Sequence, residues 1–267
     1  MSKIVSTFVS PSYGPAMCTL IILRRPGHSW PVLIAANRDE MQSRPWTAPD
    51  RHWPDRQHVI AGLDKLSGGS WLGVNDHGLV SGILNRRGSL GPADGKRSRG
   101  EVVLEALDHA EAEAAAKALG ELDGTSYRSF NMMIADTEKA FWLRNEATDD
   151  GEIDVFEIPE GVSVFTAYDV NDPESPRVRR ALPRFRVAET PDPDKGDWAA
   201  WETLLADRTQ AVSDDYGSAI NLDNGAGFAT VSSSLIGLPA DTGRNPVWRF
   251  AAGPPDRSKF TLVDILD

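Results

Sequence analysis

The sequence predicts an α+β protein built from layered antiparallel sheets, and three observations carry that reading. Short apolar, β-prone runs succeed one another across tight turn signals, roughly ten in all, as hairpin-connected strands do. Helical periodicity appears only in the middle of the chain and again later, not after every strand, which disfavours a doubly wound parallel sheet. The 267 residues suffice to bury one sizeable core, so a single domain is expected.

The elements follow in order. Thr19 to Leu23 and Val32 to Ala36 flank RRPGHSW, whose Pro-Gly marks a turn, so they form a hairpin with Cys18 at its head. Residues 41–58 carry three Pro and two Trp without periodicity and read as an irregular covering loop. WLGVNDHGLVSGILN, residues 71–85, splits at Asn75-Asp76-His77-Gly78 into two strands, the second ending on Asn85. Ser98 and Glu101 form a capping-box pattern, and Val103, Leu107, Ala110, Ala114 and Ala118 recur at helical spacing, predicting one helix to about Leu122. FNMMIADTEKAFWLRNE is a hairpin turning at DTEK, followed by short strands at Asp154 to Ile158 and Ser163 to Thr166. A second helix is expected from Asp197, with Trp198, Trp201, Leu204 and Leu205 on one face. Strands close the chain at Ala229 to Leu238, Val247 to Ala251 and Phe260 to Ile265.

Composition narrows the function. A net charge of −11 opposes nucleic acid and anionic membrane surfaces as main partners and leaves a small molecule as the expected ligand. No run approaches the roughly 20 apolar residues of a spanning helix or forms a signal-peptide core, so no stable membrane insertion and a cytoplasmic location are expected. One cysteine excludes an internal disulfide and multi-cysteine zinc sites, and five histidines lack metalloprotease spacing. Neither metal nor cofactor is expected. Oligomeric state is not legible.

The chemistry-bearing residues cluster early. If Cys18 became N-terminal, its own α-amine, with a pKa near 8, could take the thiol proton, as N-terminal nucleophiles do. An acid nearby would orient that amine, and Asp39 is in the right part of the chain; the amide of Asn85 could donate to a substrate oxyanion. On residues alone each has an ordinary reading beside this one: a small buried thiol, a solvated turn, strand-end amides.

MCTLIIL, LIAANRDEMQSRP, AGLDKLSGGSWLGVNDHGLVSGILN, RSRGEVV and FNMMIAD together resemble the NRDE family, also called the transport and Golgi organisation 2 family, from Met17 to about Ala135. That family is similar in turn to Cys-type N-terminal nucleophile (Ntn) hydrolases such as choloylglycine hydrolase. The resemblance implies a four-layer αββα sandwich over residues 18–267. It implies Cys18 as nucleophile, Asp39 as the amine-orienting acid and Asn85 as oxyanion donor, with Asn37, Arg38 and Asn75 on the substrate. Ala36, Ala167 and Val231 stand where those relatives carry Arg, Asn and Arg. Residues 1–17 are then a leader, a propeptide or a mis-assigned start.

Two functions are implied. One is a hydrolase of a small N-acyl amide. The other is a non-catalytic protein that binds haem or an acyl-CoA-like or lipid-like ligand.

Overall fold

The computed structural model describes residues 18–210 and 216–265. Residues 1–17, the expected leader, lie outside them.

Two antiparallel sheets stack face to face. The first contains β1 (Thr19–Arg24), β2 (Val32–Met41), β10 (Gly161–Phe165), β11 (Phe228–Leu238), β12 (Val247–Ala251) and β13 (Thr261–Leu262), in the order β10-β1-β2-β11-β12-β13. The second contains β3 (Trp46–Asp50), β4 (Val59–Asp64), β5 (Leu72–Asn75), β6 (Val80–Asn85), β7 (Phe130–Ala135), β8 (Ala140–Asn145) and β9 (Ile153–Glu157), ordered as in the chain. Helices α1 (Arg99–Leu107) and α2 (Ala112–Gly120) cover the second sheet, and α3 (Pro176–Val187) and α4 (Ala199–Leu205) cover the first.

Period-2 alternation explains why this makes four layers. On β1 and β2, Leu20, Ile22, Val32 and Ile34 point between the sheets and meet Ile60, Leu72 and Met133. Their neighbours Ile21, Leu33 and Ala35 point the other way, onto Val178, Phe185, Trp201 and Leu205 of α3 and α4. A third apolar layer joins Val59, Met132 and Ile134 to Val103, Leu107 and Ala115 of α1 and α2. The architecture is the expected αββα sandwich.

Four local expectations need correction. The Asn37 to Glu40 cluster is not a turn after the strand but its second half, because β2 runs on to Met41 against β11. The covering loop contains a strand, β3, paired with β4. The single helix from residue 98 is two, broken after Leu107. The Asn75 amide donates to the Leu107 and His109 carbonyls at 2.9 and 2.7 Å, and the Asp136 carboxylate accepts from the Ala112 N–H at 2.8 Å, so side chains complete both new ends. Helix α3 was not foreseen, although Ser175 followed by Pro176 is an N-cap and N1 signature and the Ser175 hydroxyl does accept from the Val178 N–H.

Two close approaches fix the site region. A Cβ on Gly62 would lie 2.3 Å from the Trp71 ring, so only glycine lets that indole lie flat on β4. A Cβ on Gly69 would lie 2.4 Å from the Gly100 backbone, which lets the start of α1 touch the segment after β4, sealed by Ser70 N–H donating to the Gly100 carbonyl at 3.0 Å.

Candidate functional site

One cleft of about 330 Å³ opens at the end of the sandwich where β1 begins, β2 and β6 end, and α1 starts. Cys18, Arg38, Asp39, Trp71, Asn85 and Arg99 are among its lining residues.

Cys18 is half-buried and immediately precedes β1, packed against the inter-sheet core. Thr19 pairs with Asn37, so the thiol falls beside the strand positions that follow. Its sulfur lies 3.4 Å from the Asp39 N–H, which donates to it, and 3.5 Å from the Asp39 carbonyl. Burial pushes the thiol pKa up to about 12, and the Asp39 charge adds to the rise; Arg38 opposes it weakly.

Alternation then sorts the Asn-Arg-Asp triplet. Arg38 faces the cleft. Its guanidinium lies 4.0 Å from the centroid of the Trp71 ring, which Gly62 seats, and one of its Nη atoms reaches Asp64 at 3.1 Å. Asp64 also accepts from Arg44 at 2.6 Å; burial alone would raise its pKa, but the two guanidiniums outweigh that and hold it below the usual carboxylate range.

Asp39 turns its carboxylate toward the helical layer. One oxygen accepts from Arg177 at 2.7 Å, the other from the Thr230 hydroxyl at 2.6 Å, and Arg177 also donates to Thr19 at 2.8 Å. Both members of this ion pair have fully buried side chains. Burial raises the Asp39 pKa against the pull of Arg177 and Thr230.

Thr230 can face Asp39 because β11 carries a bulge between Thr230 and Ser232, with Val231 as the extra residue. The cation beside Asp39 comes from α3, not from position 36 or 231. Neither partner of Asp39 was legible: Arg177 lies on the unforeseen helix, and Thr230 reaches the site only through the bulge.

The other expected contacts divide. Asn85, at the end of β6, lines the cleft with Cys18, and its amide makes no hydrogen bond to any described residue. Asn37 binds the Leu205 and Ile220 carbonyls at 3.0 and 2.9 Å and accepts from Ser233 at 2.5 Å, tying β2 to the helical layer with its amide turned from the cleft.

Asn75 does not line this cleft at all. Besides closing the α1 break it accepts from the His77 and Leu79 N–H groups at 3.0 and 2.9 Å. With every polar atom committed and 2 % of the residue exposed, it is a structural amide. Asn75→Ala is expected to lower stability by about 2–3 kcal/mol by stranding buried carbonyls, leaving ligand affinity unchanged. Denaturant unfolding beside a binding titration checks this, and weakened binding in a fully folded variant would return Asn75 to the site.

Among the described residues, no cluster of three or more His, Cys, Asp or Glu is placed to hold a metal ion, and no helix is long and apolar enough to cross a membrane.

Comparison with known proteins agrees with this architecture. The solved N-acylethanolamine-hydrolyzing acid amidase orthologue of Caenorhabditis elegans superposes with a TM-score of 0.53 at 14% identity, covering 92% of this chain and 100% of its own. At that identity the likeness speaks for the fold, an Ntn-hydrolase-like sandwich. The Transport and Golgi organization protein 2 homologs of Bos taurus and Homo sapiens are 32% and 31% identical over 114 and 118 residues. Those segments are 41% and 42% of this chain and only 40% and 41% of the relatives' own lengths. The sequence model of one family matches residues 17–211, most of the chain, and the protein accordingly belongs to the Transport and Golgi organisation 2 family.

Proposed function

We propose that the protein is an amide hydrolase of the N-terminal nucleophile type, acting on a small N-acyl substrate once Cys18 is the first residue. The observation that supports this best is the meeting of a thiol at the start of a central strand with an unengaged amide, Asn85, in one cleft. In this reading the freed α-amine takes the thiol proton and the thiolate adds to the acyl carbonyl. Asn85 donates to the resulting oxyanion. Collapse breaks the C–N bond as the ammonium returns its proton to the leaving nitrogen, and water then hydrolyses the thioester to a carboxylic acid and the free thiol. Asp39, clamped by Arg177 and Thr230, holds a negative charge beside the strand end where that ammonium forms. Arg38, on the cleft face of the same strand, contacts the substrate.

The test is acyl-amide turnover by a chain whose first residue is Cys18. In that chain Asn85→Ala is expected to cut turnover by about 10²–10³ with little change in melting temperature. Turnover unaffected by the substitution would remove Asn85 from the mechanism.

One observation favours the second reading, a binding protein for haem or an acyl-CoA-like or lipid-like ligand. While Cys18 remains peptide-bonded to Met17 it has no amine, and a thiol of pKa about 12 is inert at neutral pH. Intact mass of the purified chain separates the two: a retained leader together with saturable ligand binding would establish the binding role.

A further inference from the structure

Arginines in the cleft wall are not all neutralised. Arg44 pairs with Asp64, and Arg97 with Glu101 and Glu105. Arg99 and Arg128, by contrast, form no ion pair with any described carboxylate. Arg99 donates to the Ser89 and Ser129 carbonyls and the Ser89 hydroxyl, and Arg128 to carbonyls of Gly88, Leu90, Gly91 and Pro92. Carbonyl oxygens satisfy N–H groups without cancelling charge, so the wall keeps two guanidiniums close enough for each to feel the other. Burial and then the Arg128 charge depress the Arg99 pKa to about 10, against a smaller pull from Glu40 on the same cleft wall.

Two independent features point the same way. The first turn of the nine-residue α1 enters the cleft through Ser98, Arg99 and Gly100, presenting the positive end of a helix dipole. Arg38, 7 % exposed and lining the same cleft, has an Nη1 group that no oxygen of the described residues accepts from, its other Nη being held by Asp64. A buried guanidinium donor without an acceptor is costly unless something supplies one.

We propose that this cleft recognises an oxyanion on its ligand, a carboxylate or a phosphate seated between the start of α1 and Arg38, Arg99 and Arg128, so that the substrate is an N-acyl compound with a negatively charged head group, not a neutral amide. The position of the scissile amide rests on the hydrolase reading; the charge requirement does not.

The experiment measures binding apart from turnover. The full chain carrying Cys18→Ala is titrated calorimetrically with N-lauroylglycine, N-lauroylethanolamine and N-lauroyl-O-phosphoethanolamine, which share one acyl chain and differ in head-group charge. The charged ligands are expected to bind about tenfold or more tighter than the neutral one. That preference should shrink between about 50 and about 500 mM salt, as an ion contact does when the Debye length falls from above 10 Å toward a few ångströms. Arg99→Gln should cut the charged-over-neutral preference severalfold, and Arg99→Lys should keep most of it.

Whichever of carboxylate and phosphate binds tighter names the source. Equal affinity for charged and neutral ligands, a salt-independent preference, or no binding by any of the three would overturn the proposal. The salt series needs no variant, so a misfolded Arg99→Gln leaves the test intact. A Cys18-first chain that binds the charged ligand without cleaving it defeats the hydrolase reading alone; one that cleaves all three equally defeats the charge requirement alone.

Discussion

A chain beginning at Cys18 is expected to be alkylated by iodoacetamide about 10²-fold faster at pH 7 than the 267-residue chain. With the thiol held up to about 12, only about one sulfur in 10⁵ is ionised at pH 7 in the longer chain. A new ammonium on the same residue favours the thiolate and should bring the pKa to about 8.5 or below, raising the ionised fraction about 3 × 10³-fold. The weaker intrinsic nucleophilicity of a less basic thiolate gives back roughly 30-fold of that. The pH profiles differ as well. In the longer chain labelling should climb about tenfold per pH unit from 7 to 10 with no plateau, whereas in the shorter it should level off above about pH 8.5. Equal, slow rates in both chains would leave the thiol as a packing group and remove the nucleophile from the mechanism.

The second large effect is on stability. Arg177→Met should cost about 3–5 kcal/mol, because it leaves the Asp39 carboxylate buried without its cation. For a domain of this size that is a fall of about 10 °C or more in melting temperature. The deficit should depend on pH with a defined sign. Burial already raises the Asp39 pKa in the folded protein, and removing Arg177 raises it further. A carboxyl whose folded pKa lies above its unfolded value of about 3.9 is not penalised when both states are protonated, and the penalty grows as pH rises from there. The variant should therefore lie closest to the parent near pH 4 and furthest at pH 8. Adding Asp39→Leu to Arg177→Met should recover part of the loss by removing the stranded charge. A single variant within about 1 kcal/mol of the parent, or one whose deficit shrinks toward pH 8, would refute this account of the pair.

What the sequence made legible follows from how far each interaction reaches along the chain. Hairpins such as Thr19 to Ala36 and Phe130 to Asn145 announce themselves through turn residues between β-prone runs, and both formed as expected. The layering was readable because strands hairpin-connected in sequence can only stack as antiparallel sheets. Apart from α3, whose Ser175-Pro176 start is a local signal, the larger failures involve distant partners. The helix expected to run to Leu122 has an unbroken apolar periodicity, yet Asn75 and Asp136, both remote from it, complete two ends in its middle. Asn37 to Glu40 reads as a turn by composition and becomes strand only because β11 supplies a ladder nearly 200 residues later. The capping box was half right: Ser98 caps the Gly100 N–H, but Glu101 turns outward to Arg97. At the site, Cys18 and Asn85 could be picked out by residue type and strand position. Arg99 and Arg128 could not be, since only the fold brings two arginines from separate segments into one wall.

The pairing of β2 with β11 also sets a timetable. The carboxylate of Asp39 takes its partners from 138 and 191 residues downstream, so neither is present when β1 and β2 leave the ribosome. Until Phe228 to Leu238 has been made, β2 is an open edge with ten residues of unpaired backbone, and the charge at Asp39 has no enclosure to be buried in. The β1–β2 hairpin can form early, but the sheet around it closes only through contacts of very large sequence separation, the kind that slow folding most. Any chemistry that needs Asp39 in place, including release of whatever precedes Cys18 by the protein itself, must wait until β11 has been made, and a nascent chain stalled before residue 228 would carry the thiol in an unfinished site.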